Sequence, residues 1–169
     1  MSTIAIRSAN ADDYNAIWTI LAPVIRAGET YALPPQMDRD DALEYWCGAG
    51  KQVFVAERGD AILGTYYLRA NQMGPGGHVC NCGYVTAEAA RGQGIAAQMC
   101  QHSLKAASDS GFRAMQFNLV ATSNTGAVRL WTRLGFETIG TLPGAFAHPK
   151  LGDVDALVMY QRLNLPARS

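Results

Sequence analysis

Apolar and polar positions along this chain fall into two kinds of pattern, one with the period of a helix and one with the period of a strand. The opening "TIAIRSA" predicts a short strand. The stretch "NADDYNAIWTILAPVIRAG" then begins with a capping residue and acids and carries apolar residues at helical spacing, which predicts a first helix. Pro34 and Pro35 break "ETYALPPQM", and "DRDDALEYWCGAG" starts with acids and ends in glycines as a second helix should. "QVFVAERGDAILGTYYLRA" predicts a hairpin turning at Gly59 and Asp60, and "HVCNCGYVT" a third strand after the glycine-rich "MGPGG". From Gly92 the period returns to that of a helix, with Ala96, Cys100, Leu104 and Ala107 on one face and Gly111 closing the segment. "AMQFNLV" reads as a strand. "SNTGAVRLWTRLGF" reads as a helix with the stripe Ala127, Leu130, Trp131 and Leu134, and "ETIGTL" and "DVDALVMYQRL" as strands separated by a loop, "PGAFAHPKLG". The order β, α, α, β, β, β, α, β, α, β, β predicts an α+β fold in which helices cover a mixed sheet.

Composition narrows the class. A chain of 169 residues with 49% hydrophobic and 17% charged residues can bury one core, so residues 1–169 are expected to form a single domain. The net charge of zero and the scattered basic residues argue against a sequence-independent grip on nucleic acid. No apolar run suits a bilayer and the first residues lack the pattern of a leader, so the expected place is the cytoplasm, away from membranes. Cys47, Cys80, Cys82 and Cys100 lack the spacing of a zinc site and read as buried free thiols, with no metal expected.

The candidate chemistry lies in "TAEAARGQGIAAQM", residues 86–99. Backbone N–H groups at a helix start are unpaired and sit at the positive end of the dipole, and small residues allow a phosphate to approach them. Gly92, Gly94 and Ala97 also fit G-x-G-x-x-A, but the strand that follows ends in "ATSN" without the acid that would hold a ribose. A nucleoside-triphosphate loop fails because no Gly-Lys-Ser or Gly-Lys-Thr follows. A tight turn with no ligand stays open on the glycines alone.

Arg91, Gly94 and Ala96 match R/Q-x-x-G-x-G/A after the strand "GYVT", and "NTGAVRLWTRLGF" matches N-x-x-A followed by an aromatic residue and G-F. With the order of elements, the chain closely resembles the Gcn5-related N-acetyltransferases (GNAT). That resemblance implies a mixed sheet of six to seven strands flanked by about four helices, with acetyl-CoA as acyl donor. It also implies that amides of Gln93, Gly94, Ile95, Ala96 and Ala97 hold the pyrophosphate with Arg91 nearby, Gly92 belonging to the same cofactor site. Tyr84 and Val85 would lie beside the pantetheine arm, in a slot where two strands splay. A main-chain N–H near Val85 would polarise the thioester carbonyl, Asn124 would bond the cofactor's amides, and Ala127 and Trp131 would form its wall. Where many relatives place a tyrosine that protonates the leaving thiolate, this chain has Trp131, whose indole is too weak an acid.

Attack on a thioester needs a deprotonated amine. Candidate bases are Glu29, Glu88 and His148, the last in a loop expected to cover the acceptor; Glu29 and Tyr31 fall where the family has a wall of the acceptor pocket. "FNLVATSNTGAVRLWTRLGF", "IGTLPGAF" and "VDALVMY" resemble the branch that acetylates azetidine-2-carboxylate in yeast, which has active-site asparagines at the positions of Asn81, Asn118 and Asn124 and so implies a catalytic part for Asn81. Asn81 and Asn118 then become either a clamp on a substrate carboxylate or core amides satisfied by backbone. The expected partner is a small-molecule amine, an amino acid or its analogue. The herbicide-type phosphinothricin acetyltransferases, which also acetylate methionine sulfoximine, are relatives with a similar opening segment. A CoA-binding sensor without catalysis is the alternative from another class. The apolar last strand would suit pairing into a homodimer.

Overall fold

The computed structural model describes residues 3–164. Its elements run β1 (Ala5–Ser8), α1 (Tyr14–Ala27), α2 (Arg39–Cys47), β2 (Gln52–Arg58), β3 (Ala61–Ala70), β4 (Val79–Thr86), α3 (Ile95–Asp109), β5 (Ala114–Ala121), α4 (Thr125–Arg133), β6 (Glu137–His148) and β7 (Gly152–Arg162). This is the order the periodicities predict. Short 3-10 turns precede α1 and α3.

The seven strands form one sheet in the order β1-β2-β3-β4-β5-β7-β6. Every pairing is antiparallel except that of β4 with β5. Strand alternation divides the core into two layers. Tyr66, Leu68, Cys80, Met99, Met115 and Trp131 belong to one, and Ile17, Leu21, Trp46, Val55, Tyr67 and Val85 to the other. Cys80, Cys82 and Cys100 are buried free thiols and Cys47 is half-buried.

Local chemistry starts the elements where the sequence places them. Asp38 caps α2 by accepting the Asp41 N–H at 2.9 Å, and Asn10 and Asp13 form a reciprocal capping box before α1. Asp13 is further held by two bonds from Arg7, at 2.8 and 2.9 Å. The Arg7 guanidinium holds the Asp13 carboxyl below its usual range, against the opposing effect of burial.

One element departs from the sequence reading. The expected loop after "ETIGTL" is mostly strand, because β6 continues through Pro143 to His148. It is the outer strand of the sheet, and register shifts at Thr138/Gly140 and Leu142/Phe146 let it bend around Pro143, which has no N–H for a ladder. Phe146, 4% exposed, anchors the far end.

The feature that makes a site is the β4–β5 seam. The two strands pair only at Val79↔Ala114 and Cys80↔Met115. Beyond Cys80 they part, and the backbone groups of β4 on that side face a cleft.

Candidate active site

The cleft has a volume of about 690 Å³ and is walled by β4, β5, the ends of α3 and α4, and the segment between α1 and α2. That is within the range of pockets that enclose small ligands, roughly 300–1,000 Å³.

At one end lies the turn into α3. Gly92 and Gly94 have φ of 75° and 77°, in the left-handed region that costs other L-residues energy, so the turn requires them. No side chain caps the first turn of this 15-residue helix. Its dipole and N–H groups therefore remain available to an anion, with Arg91 alongside. Arg91, Gly92 and Ala96 line the cleft; Gln93, Gly94, Ile95 and Ala97 do not. Ile95 turns its side chain into the core at 1% exposure. Gln93 braces the turn, accepting from Arg58 Nη1 at 3.0 Å and donating to the Ala89 carbonyl at 3.2 Å. Asn124 caps α4, its Oδ1 accepting the Ala127 N–H at 3.3 Å, and both residues line the cleft. Trp131 also reaches the wall, but its ring is mainly core, 5.1 Å from the Tyr84 ring and 5.2 Å from that of Phe117.

The middle of the cleft corrects one expectation. The Ala87 N–H donates to the Leu63 carbonyl of β3, and by strand alternation the Val85 N–H points to β3 as well, away from the cleft. Val85 contributes side chain to the wall. Tyr84 presents its main chain instead, and Tyr31 already engages it: the Tyr84 N–H donates to the Tyr31 hydroxyl at 2.7 Å, and that hydroxyl donates to the Tyr84 carbonyl at 2.9 Å. Burial pushes the Tyr31 phenol well above its ordinary range, so it remains a hydroxyl.

Asn81, 6% exposed, stands where the strands part. Its Nδ2 donates to the Gln116 carbonyl of β5 at 2.9 Å and its Oδ1 accepts a long 3.4 Å bond from the Tyr67 hydroxyl. The side chain thus replaces a ladder bond that the diverging backbones no longer make. Asn118 is exposed on β5, donates to Asn71 Oδ1 at 2.7 Å and accepts from Gln116 Nε2 at 3.0 Å. Both asparagines line the cleft.

The three candidate bases fare differently. Glu29 lines the cleft but forms a 2.6 Å ion pair with Lys150, which lowers its proton affinity and makes it a poor base. Glu88 is exposed in the 3-10 turn before Arg91 and lies outside the cleft. His148 ends β6 and does not line the cleft. Its Nδ1 accepts the N–H groups of Lys150 and Leu151 at 3.1 and 3.2 Å, which spends the basic nitrogen on the β6–β7 turn.

The wall residues that escape the sequence reading include Tyr45 of α2 and Tyr67 and Arg69 of β3, and Asn71, just beyond β3, meets the wall residue Asn118. For Arg69 a signal existed. It alternates with Thr65 and Tyr67, both buried, so its charge sits on an inward face. Tyr67 lies flat on β4 because position 83 is glycine; a Cβ there would stand 2.7 Å from the Tyr67 ring.

Comparison with known proteins agrees with this geometry. The acetyltransferase (GNAT) family matches residues 14–136. N-acetyltransferase aca1 of Schizosaccharomyces pombe is 27% identical over 137 residues, 72% of this chain and 66% of that protein, so the match spans just under two thirds of the relative. Among solved structures, a GCN5-related N-acetyltransferase from Kribbella flavida superposes with a TM-score of 0.90 at 40% identity, covering 95% of this chain and 98% of that one. YncA of Salmonella typhimurium, solved with acetyl-CoA, shares the fold at a TM-score of 0.84 and 21% identity, over 99% and 98% of the two chains. The parted strands, the glycine turn and the match over most of its length establish that this chain belongs to the acetyltransferase (GNAT) family.

Proposed function

We propose that the protein moves an acetyl group from acetyl-CoA to the amine of a small molecule, an amino acid or amino-acid analogue, by direct attack in a ternary complex. The observation that carries this reading is the cleft between β4 and β5, open along a strand edge at one end and walled at the other by Tyr31, Tyr45 and Tyr67. About 690 Å³ must hold the donor's arm as well as the acceptor, which leaves room for an acceptor of amino-acid size.

The uncapped start of α3 and Arg91 suit the donor's pyrophosphate, and Asn124 and Ala127 suit its amides. Acetyl-CoA supplies an acyl group on a thiol leaving group, which near neutral pH departs with little help, its pKa being about 8.5. Trp131 lends no proton. Burial keeps the phenols of Tyr31 and Tyr67 protonated, and Glu29 is paired with Lys150. With these groups unsuited to take the amine's proton, water in the cleft takes it. Tyr31, bonded to both main-chain groups of Tyr84, holds the middle of the slot in shape.

The test is free-thiol release from acetyl-CoA against azetidine-2-carboxylate, proline, phosphinothricin, methionine sulfoximine, spermidine and a peptide with a free N-terminus. Turnover with the amino acids supports the reading. Turnover with spermidine or the peptide alone overturns the acceptor class, and acetyl-CoA binding without thiol release from any amine points to a sensor.

A further inference from the structure

The walled end of the cleft carries positive charge that no ion pair among the described residues neutralises. Arg69 lines the cleft in register with Asn81 across β3 and β4. Its guanidinium lies 5.9 Å from the centre of the Tyr67 ring, and its Nε is buried without a hydrogen-bond partner among the described residues. Lys51, at the start of β2, reaches the same ring from 5.6 Å and the Tyr45 ring from 4.8 Å, and donates to the Tyr45 carbonyl. Among the described residues neither cation forms an ion pair. Glu44 acts on Lys51 only from a distance, and burial together with Arg69 lowers the lysine's pKa. The one carboxylate that lines the cleft, Glu29, is taken by Lys150.

A half-buried guanidinium with an unpaired N–H, next to a second cation, is costly unless something anionic completes it. Aromatic faces offset part of that cost, but they supply no hydrogen-bond acceptor to the guanidinium, whose planar fork of donors is suited to a carboxylate.

We propose that Arg69 is the specificity-determining residue of the acceptor site, binding the carboxylate of an anionic amine beside Asn81, with Lys51 adding positive field from behind Tyr67. The inference rests on the reading of the protein as an N-acetyltransferase and adds to it the chemistry of the acceptor: an amine that carries an acid close to it. Polycationic amines are repelled from the same end.

The experiment compares kcat and KM for azetidine-2-carboxylate, proline, phosphinothricin and methionine sulfoximine with those for their α-carboxamides, in the wild type, Arg69→Gln and Arg69→Lys. Calorimetric titration of each amine into the CoA-loaded protein follows binding independently of turnover, and thermal unfolding checks that the variants fold. Loss of a charged hydrogen-bonding partner is expected to raise KM for the carboxylates about 10- to 100-fold in Arg69→Gln. The carboxamides, kcat and the KM for acetyl-CoA should hardly move, and Arg69→Lys should recover part of the loss. Equal use of carboxylates and carboxamides by the wild type overturns the proposal, and so does a loss in Arg69→Gln that affects both alike. Turnover of spermidine or a peptide with no binding of the anionic amines overturns this inference and leaves the acetyltransferase standing. Acetyl-CoA binding without thiol release from any of the amines fells the underlying reading, and this one with it.

Discussion

The two ends of the cleft are built from different materials. The α3 end is main chain and small residues: Gly92, Ala96 and the uncapped N–H groups of a turn that Gly94 shapes from behind the wall. The other end is long side chains brought from four separate segments: Tyr31, Tyr45, Tyr67 and Arg69, with Asn118 from β5. A site made of backbone recognises what all its ligands share, because any sequence with the same turn offers the same N–H groups. A site made of side chains can be changed one residue at a time, so acceptor choice can drift while donor binding stays.

Substitutions sharpen or break that contrast. The largest effect is expected from Gly94→Val, which places a β-branched residue at φ 77° where the helix must begin. The KM for acetyl-CoA should rise on the order of 10- to 100-fold, at about 1.4 kcal/mol per decade, with the acceptor KM little changed. Asn118→Ala should do the reverse, cutting turnover about tenfold through the lost positioning bonds while acetyl-CoA binding by calorimetry is retained. If both fall together, Asn118 serves the fold alone and the two ends of the cleft are coupled.

Tyr31→Phe probes the middle. It leaves the N–H and C=O of Tyr84 facing the cleft without their partner and should lower the unfolding free energy by about 1–3 kcal/mol. The deficit should shrink in saturating acetyl-CoA if the arm bonds the same groups; an unchanged deficit would mean the arm bypasses Tyr84. The smallest effect is expected for Glu29→Gln. Lys150 lowers the pKa of Glu29, so this carboxylate stays ionised down through the ordinary carboxylate range and nothing in it titrates near neutrality. The wild-type rate should climb with pH as the acceptor amine deprotonates, and the variant should trace the same profile with kcat/KM changed less than about twofold. A lost acid limb in the variant would restore Glu29 as base.

The same contrast explains what the sequence revealed. The glycine turn and the asparagine cap of α4 are local, so the residues that make them are neighbours in the chain and their spacing can be read. The order of elements was equally legible, since each apolar stripe reports its own period. Tyr67 and Tyr45 approach each other only after β3 and α2 pack, and nothing in "TYYLRA" or "DALEYWC" names the other segment. His148 misled because Pro143 and Gly144 read as loop, while an outer strand with two register shifts tolerates them. Val85 misled by one position, and in a strand one position is the difference between facing a neighbour and facing the ligand.

The seam between β4 and β5 has a further consequence. Main-chain pairing joins β4 to β5 at two positions only, and beyond them side chains such as Asn81 and Asn118 make the bridges, so along its open flank the sheet is two rafts moored at one end. A ligand lying in the gap works as a missing plank, and its binding energy adds to the free energy that keeps the rafts together. Amides along the open flanks should therefore exchange with solvent more slowly as donor concentration rises. A cell starved of that donor would hold this protein in its more easily digested form, so the abundance of the protein would follow the supply of the molecule it consumes.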